Sequence, residues 1–148
     1  MTKSNSLYKN ILLATDLSEH CDFVAKRAAE IAHIAHAKLN IIHVLAYTPI
    51  AYAGEFSIPV DAELELTMEK QAKAHLSRIG KKYHVAKEDQ HIAQGSVKLA
   101  VTDLAETINA DLIIVGTHGH EGLDVLLGSQ ANAILHAAKC DVWVVRIK

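Results

Sequence analysis

Two cysteines, Cys21 and Cys140, are all this chain offers for cross-linking, and they stand far apart with no CxxC spacing. That excludes a disulfide scaffold and suits buried thiols in a reducing compartment. No apolar run approaches the length needed to cross a bilayer, and the polar start MTKSNS is not a signal peptide. The expected location is therefore the cytoplasm, with no membrane partner. Neither sign of charge dominates: the formal net charge is −2, which removes the usual electrostatic reason to expect a nucleic-acid partner. Internal repeats and low-complexity tracts are also missing. Proline occurs twice, and both prolines, Pro49 and Pro59, fall in one segment.

What remains is ample for a core. Of the 148 residues, 50% are hydrophobic and 22% charged, which reads as a single folded domain over 1–148. Residues 1–8 form a loose polar lead-in. NILLA (10–14) is a short apolar run without polar alternation, the pattern of a strand covered on both faces. TDLSE (15–19) follows as a helix start, with Asp16 or Ser18 able to cap and Asp16 and Glu19 at capping-box spacing. An alanine-rich helix then runs to about Ala37. LNIIHVL (39–45) is a second strand. Residues 47–60 hold both prolines, Gly54 and three aromatic residues, a loop too long for a simple connection. From Asp61, as a cap, a helix with a sparse apolar stripe (Leu64, Met68, Ala72, Leu76, Ile79) extends to about Tyr83.

Asp89–Ala93 is a short polar strand suited to a sheet edge. Gly95-Ser96 then opens a helix whose apolar positions (Val97, Ala100, Val101, Leu104, Ala105, Ile108) match helical spacing without a gap. A strand at Leu112–Val115, a glycine-bearing stretch, a helix from Ser129 to about Ala138 and a last strand at Asp141–Ile147 complete the chain. Strand and helix alternate throughout, which implies an α/β fold with a parallel sheet and helices on both faces. The last strand carries Trp143 and lies at the edge opposite the polar third strand, open to pairing with another chain.

The chemistry concentrates in DLIIVGTHGHEGLDVLLGSQ (111–130). A buried strand runs into Gly116, Gly119, Gly122 and Gly128-Ser129, and then a helix begins. Loop N–H groups and a helix N-terminus together form a cradle for phosphate. The stretch is neither a GxxxxGK[ST] loop nor a GxGxxG fingerprint, and Val44-Leu45-Ala46 offers no acid for a ribose, which argues against a Rossmann dehydrogenase. Asp16 and Ser129 each serve equally as helix caps. The ten histidines tempt a metal assignment through His33/His36 and His118/His120, but neither pair has a companion cluster at ligand spacing. They read as surface or cap histidines, with His118 set apart by its place in the glycine-bearing stretch. No catalytic cysteine and no Ser-His-Asp arrangement follows from the spacing.

ILLATDLS, LNIIHV, ADLIIVGTHG and GSQANAILHAAKCDVWVV together resemble the universal stress protein family over nearly the whole chain. Nucleotide-binding members carry G-x2-G-x9-G-[ST]. Here Gly116 and Gly119 keep the first spacing and Gly128-Ser129 the terminus, while the intervening HEGLDVLL is eight residues. The resemblance implies a Rossmann-like, adenine nucleotide alpha hydrolase-like fold, an open five-stranded parallel sheet of order 3-2-1-4-5. It implies ATP or AMP as ligand, with a divalent ion such as Mg2+ beside a triphosphate. Ala14, Thr15 and Asp16 would meet the adenosine part, Val44 the adenine, and Val115 and Gly116 the ribose. His118, Gly119, Gly128, Ser129 and Gln130 would take the phosphates. It also implies a homodimer through Asp141–Ile147 with a stress-response or regulatory role, and leaves room for unidentified protein partners. Two alternatives stay open: a slow ATPase or autophosphorylating protein with Ser129 or Thr117 as acceptor, and a nucleotide-free interaction scaffold.

Overall fold

The computed structural model describes residues 6–18, 20–45, 62–117 and 129–147. The lead at 1–5, Glu19, the loop at 47–60, the Asp61 cap and residues 118–128 lie outside the described residues.

The middle of the sheet is β1 (Asn10–Ala14), whose Ile11, Leu12 and Leu13 are wholly buried. A strand apolar on both faces has to sit where both faces are covered. On one side β1 pairs with β2 (Lys38–Leu45), from Asn10↔Lys38 to Ala14↔Ile42. On the other it pairs with β4 (Leu112–Gly116), from Ile11↔Leu112 to Leu13↔Ile114. β3 (Gln90–Gln94) adds to β2, and β5 (Asp141–Val145) adds to β4. All pairs are parallel and the order is β3-β2-β1-β4-β5, as expected from the sequence.

Alternation along the strands splits the core in two. Ile11, Leu13, Ile41, Leu112 and Ile114 face α1 (Cys21–Ala35) and α2 (Ala62–Tyr83). Leu12, Ile42, Val44, Ile113 and Val115 face α3 (Val97–Thr107) and α4 (Ser129–Ala137). Ser96 caps α3, its hydroxyl accepting from the Leu99 N–H at 3.2 Å.

Several boundaries differ from expectation, each for a local reason. α1 begins at Cys21, later than TDLSE suggests, because Asp16 and Ser18 hydrogen-bond within the preceding turn. It ends at Ala35 because His36 takes a left-handed conformation (φ 55°) and its N–H bonds back to Ala32 and His33. His84 and Asn109, just past α2 and α3, are left-handed too (φ 59° and 55°). These helix exits thus use His and Asn where glycine is usual. On α2, Ala72, Leu76 and Ile79 are buried but Leu64 and Met68 are exposed. A 22-residue helix is about 33 Å long, whereas a five-residue strand is about 17 Å, so its first turns overrun the sheet. Asp89 precedes β3 in a 3-10 turn (Lys87–Asp89), buried and paired with the Lys38 ammonium at 3.0 Å. β5 stops at Val145, where its ladder ends opposite Gly116.

The amino ends of the strands are stitched by amides. Buried Asn40 donates to the Asn10 side-chain oxygen at 2.8 Å, Asn10 donates to the Ile108 carbonyl, and Asp111 accepts from the Lys9 and Asn10 N–H groups.

His91 on β3 shares the α3/α4 face with Ala93, and its Nε2 is buried without a hydrogen-bond partner. Burial pushes the imidazole below its ordinary value; Asp89 opposes that shift and Lys38 adds to it. Folding thus favours the neutral ring, while the unfolded chain protonates near pH 6.5. Stability is expected to hold above about pH 7 and to fall as pH drops through about 6.5 toward the lower folded value. Urea unfolding at pH 7.5 and 5.5 measures this, and His91→Phe should flatten the difference. An unchanged slope would place the pH sensitivity elsewhere.

Candidate functional site

The carboxyl ends of β1, β2 and β4 meet where the strand order reverses, the place where open α/β sheets take ligands. Ala14 ends β1, Val44 and Val115 are the next-to-last residues of β2 and β4, and the three pack in one cluster with Ala131 of α4. Val44 and Val115 are 8% and 4% exposed, so they form a firm apolar floor with little surface of their own.

The wall beside that floor is a hydrogen-bonded turn. The Thr15 N–H donates to the Ile42 carbonyl at 2.9 Å, and the Thr15 carbonyl accepts from His43 Nδ1 at 2.9 Å. That bond places the proton on Nδ1. Thr15 Oγ1 accepts from the Leu17 N–H at 3.3 Å, Asp16 Oδ1 from the Ser18 N–H at 2.9 Å, and Ser18 Oγ from the His20 N–H at 3.2 Å. Within the turn Leu17 is left-handed (φ 58°), a conformation costing a bulky residue about 1–2 kcal/mol. Its side chain packs with the α1/α2 cluster, which holds it there. The helix-cap reading of Asp16 and Ser18 is therefore corrected. The position preceding α1 is His20, whose side chain makes no cap hydrogen bond. Asp16 is left exposed, its carboxylate able to accept from hydroxyl or amine donors and unsuited to phosphate, which carries like charge.

The opposite rim is the start of α4. Ser129 is its first residue, and Ser129 and Gln130, the two residues just before the floor residue Ala131, are exposed. Unpaired N–H groups of a first helical turn favour an anion. The structure thus brings Ala14, Thr15, Asp16, Val44, Val115, Ser129 and Gln130 to one end of the sheet. His118, Gly119 and Gly128 lie outside the described residues.

Gly116 has a second constraint. A Cβ there would stand 2.9 Å from Ile147 Cδ1 and 3.1 Å from Val24 Cγ2, so its missing side chain makes room for α1 and the C-terminal segment. Only its backbone is left to face a ligand. Thr117, a phosphoryl-acceptor candidate, already uses its hydroxyl oxygen to accept from the Ile147 N–H at 3.0 Å.

Sequence reasoning placed His43 at a contributing strand end, one residue before Val44, but missed its role. It also missed His75, which the fold brings to 3.6 Å from Cys21 Sγ across 54 positions. Burial, with Asp16 and Asp22, pushes the Cys21 thiol up, and burial with Asp141 does the same to Cys140. Both thiols therefore stay protonated and are poor nucleophiles. Among the described residues, no three His, Cys, Asp or Glu side chains gather as a metal site.

An open parallel α/β sheet whose strand order reverses between β1 and β4 defines the doubly wound α/β class. The sequence model of the universal stress protein family matches residues 7–146, and the chain belongs to that family. It is 52% identical over 141 residues to universal stress protein A homolog 1 of Coxiella burnetii, covering 95% of this chain and 98% of that one. Among solved structures it is similar to universal stress protein UspA from Lactobacillus plantarum, with 26% identity, a TM-score of 0.80 and coverage of 96% and 100%. It is also similar to hypothetical protein MJ0577, with 27% identity, a TM-score of 0.78 and coverage of 96% and 98%.

Gly116→Ala is expected to destabilise the fold by about 1–3 kcal/mol, the usual range for overpacking. Urea denaturation measures it. A variant as stable as the parent would mean that Ile147 and Val24 yield without cost.

Proposed function

We propose that this protein binds ATP or AMP at the carboxyl ends of β1, β2 and β4 and acts as a homodimer with a stress-response or regulatory role. The observation that carries the reading is one apolar floor, Ala14, Val44, Val115 and Ala131, set between the Asp16 carboxylate and the start of α4. A base lies on the floor, Asp16 accepts from the sugar or base, and phosphates reach the α4 N-terminus, where Ser129 donates its hydroxyl. Residues Gly119 and Gly128, in the family signature, and His118 complete the phosphate side. Mg2+ accompanies a triphosphate.

Holding is favoured over hydrolysis. Phosphoryl transfer requires a cationic clamp and a positioned base, and residues 111–130 contain no lysine or arginine. The eight-residue HEGLDVLL spacer favours the other alternative, a nucleotide-free scaffold of the same fold. Calorimetry with ATP, AMP and cyclic AMP decides between them. ATP or AMP is expected to bind, and Gly128→Val to weaken binding at least about tenfold by blocking close approach of backbone to phosphate. Absence of heat with every nucleotide would leave the scaffold reading.

The dimer reading rests on β5. It is an end strand of the sheet, and Trp143 on it is 44% exposed, packed edge-on against Tyr8 at 6.0 Å between ring centroids. Sedimentation should give a dimer for the parent and a monomer for Trp143→Glu, since a buried unpaired charge opposes association. A monomeric parent at micromolar concentration would end this reading.

A further inference from the structure

The second half of α2 is charged with one sign only. From Lys70 to Lys82 the chain holds five of its 15 lysines and arginines and no aspartate or glutamate, which leaves ten cations against 17 acidic residues elsewhere. Two of the five are answered: Lys73 pairs with Glu69 at 3.2 Å and Lys82 with Asp22 at 2.8 Å. Lys70, Arg78 and Lys81 make no ion pair among the described residues, and all three are exposed. With exposed Ala74 between them they follow i, i+4, i+8 and i+11 spacing. That is one stripe about 16 Å long, on the side of the helix away from buried Ala72, Leu76 and Ile79.

A helix face that serves solubility alone interleaves both signs, because opposite charges three or four positions apart stabilise a helix and like charges oppose it. Here Lys70 and Lys73, Arg78 and Lys81, and Arg78 and Lys82 are like-charged neighbours at those spacings. Lys81 and Lys82 suit the carboxyl end of the helix dipole, but Lys70 and Arg78 lie before the last turn and gain little from it. We propose that this stripe is a docking surface for an acidic segment of a partner protein, whose carboxylates take the three unanswered cations and relieve their repulsion. Exposed Ala74 and Ser77 are small, so such a segment can lie close to the helix. Charge complementarity is local on this scale, since screening at physiological salt leaves a reach of about 8 Å. A nucleic-acid duplex or an anionic bilayer is larger than the stripe and meets the acid-rich remainder of the chain as well, so a short acidic segment is the anion that fits. The proposal is independent of what the crevice binds.

Binding is measured on the full chain with a labelled Glu/Ala peptide, its Gln/Ala counterpart as blank, a DNA duplex and phosphatidylserine vesicles. Two variants carry the same change of net charge: Lys70→Gln/Arg78→Gln/Lys81→Gln on α2, and Lys9→Gln/Lys98→Gln/Lys139→Gln at exposed cations elsewhere. The parent should bind the Glu/Ala peptide but not the blank, with amide shifts at Ala74 and Ser77, and the affinity should fall as salt rises. The α2 variant should lose about tenfold in affinity, the range for three exposed ion pairs, and the second variant should match the parent. Equal loss in both variants, or no peptide binding by the parent, overturns the proposal. DNA or vesicles bound through the stripe more tightly than the peptide would assign it to a polyanion. Self-association of the parent that the α2 variant abolishes would assign it to a second copy of this chain. Either result also overturns the proposal.

Discussion

The constraint on which the structure depends is the burial of β1 on both faces. Ile11, Leu12 and Leu13 expose nothing, so helices have to cover the sheet above and below, and neighbouring strands have to flank it on both sides. Burying three such side chains contributes roughly 5–9 kcal/mol, at about 1.5–3 kcal/mol each. That is comparable to the whole net stability of a typical domain. The same burial shapes the site. β1 ends at Ala14, and the backbone groups of Thr15 bond at once to Ile42 and His43. The acidic turn therefore starts directly at the end of the central strand.

The two ends of the crevice differ in chemistry because different elements supply them. The β1 side offers acceptors and a carboxylate; the α4 side offers backbone donors and a helix terminus. A ligand with a neutral, hydrogen-bonding head and an anionic tail matches this polarity without a single buried charge in the floor. The thiols contribute nothing reactive, since burial keeps both protonated.

Much of the fold was legible in the sequence because its signals are local and periodic. β1 reads as a fully apolar run, α3 as an unbroken helical stripe with a serine cap, and β3 as polar and therefore peripheral. The strand order followed from the family resemblance and the structure agrees. What could not be read is what depends on distant partners. Asp16 looks like a cap until the Ser18 N–H is seen to take its oxygen. Nothing near Cys21 announces His75. Nothing marks Leu17 as left-handed, since leucine is a poor choice for that region and only packing keeps it there. Gly116 was legible as a loop glycine, but its role in admitting Ile147 and Val24 required the folded chain.

The left-handed residues are divided between the two ends of the sheet. His36, His84 and Asn109 sit where chain leaves a helix to enter the next strand, while Leu17 sits at the opposite end, beside the crevice. Glycine at any of the first three would remove about 1 kcal/mol of backbone strain and return a comparable amount to unfolded-chain entropy. The side chains at the amino end of the sheet are thus nearly neutral for stability, whereas Leu17 keeps its strain at the carboxyl end through its own packing.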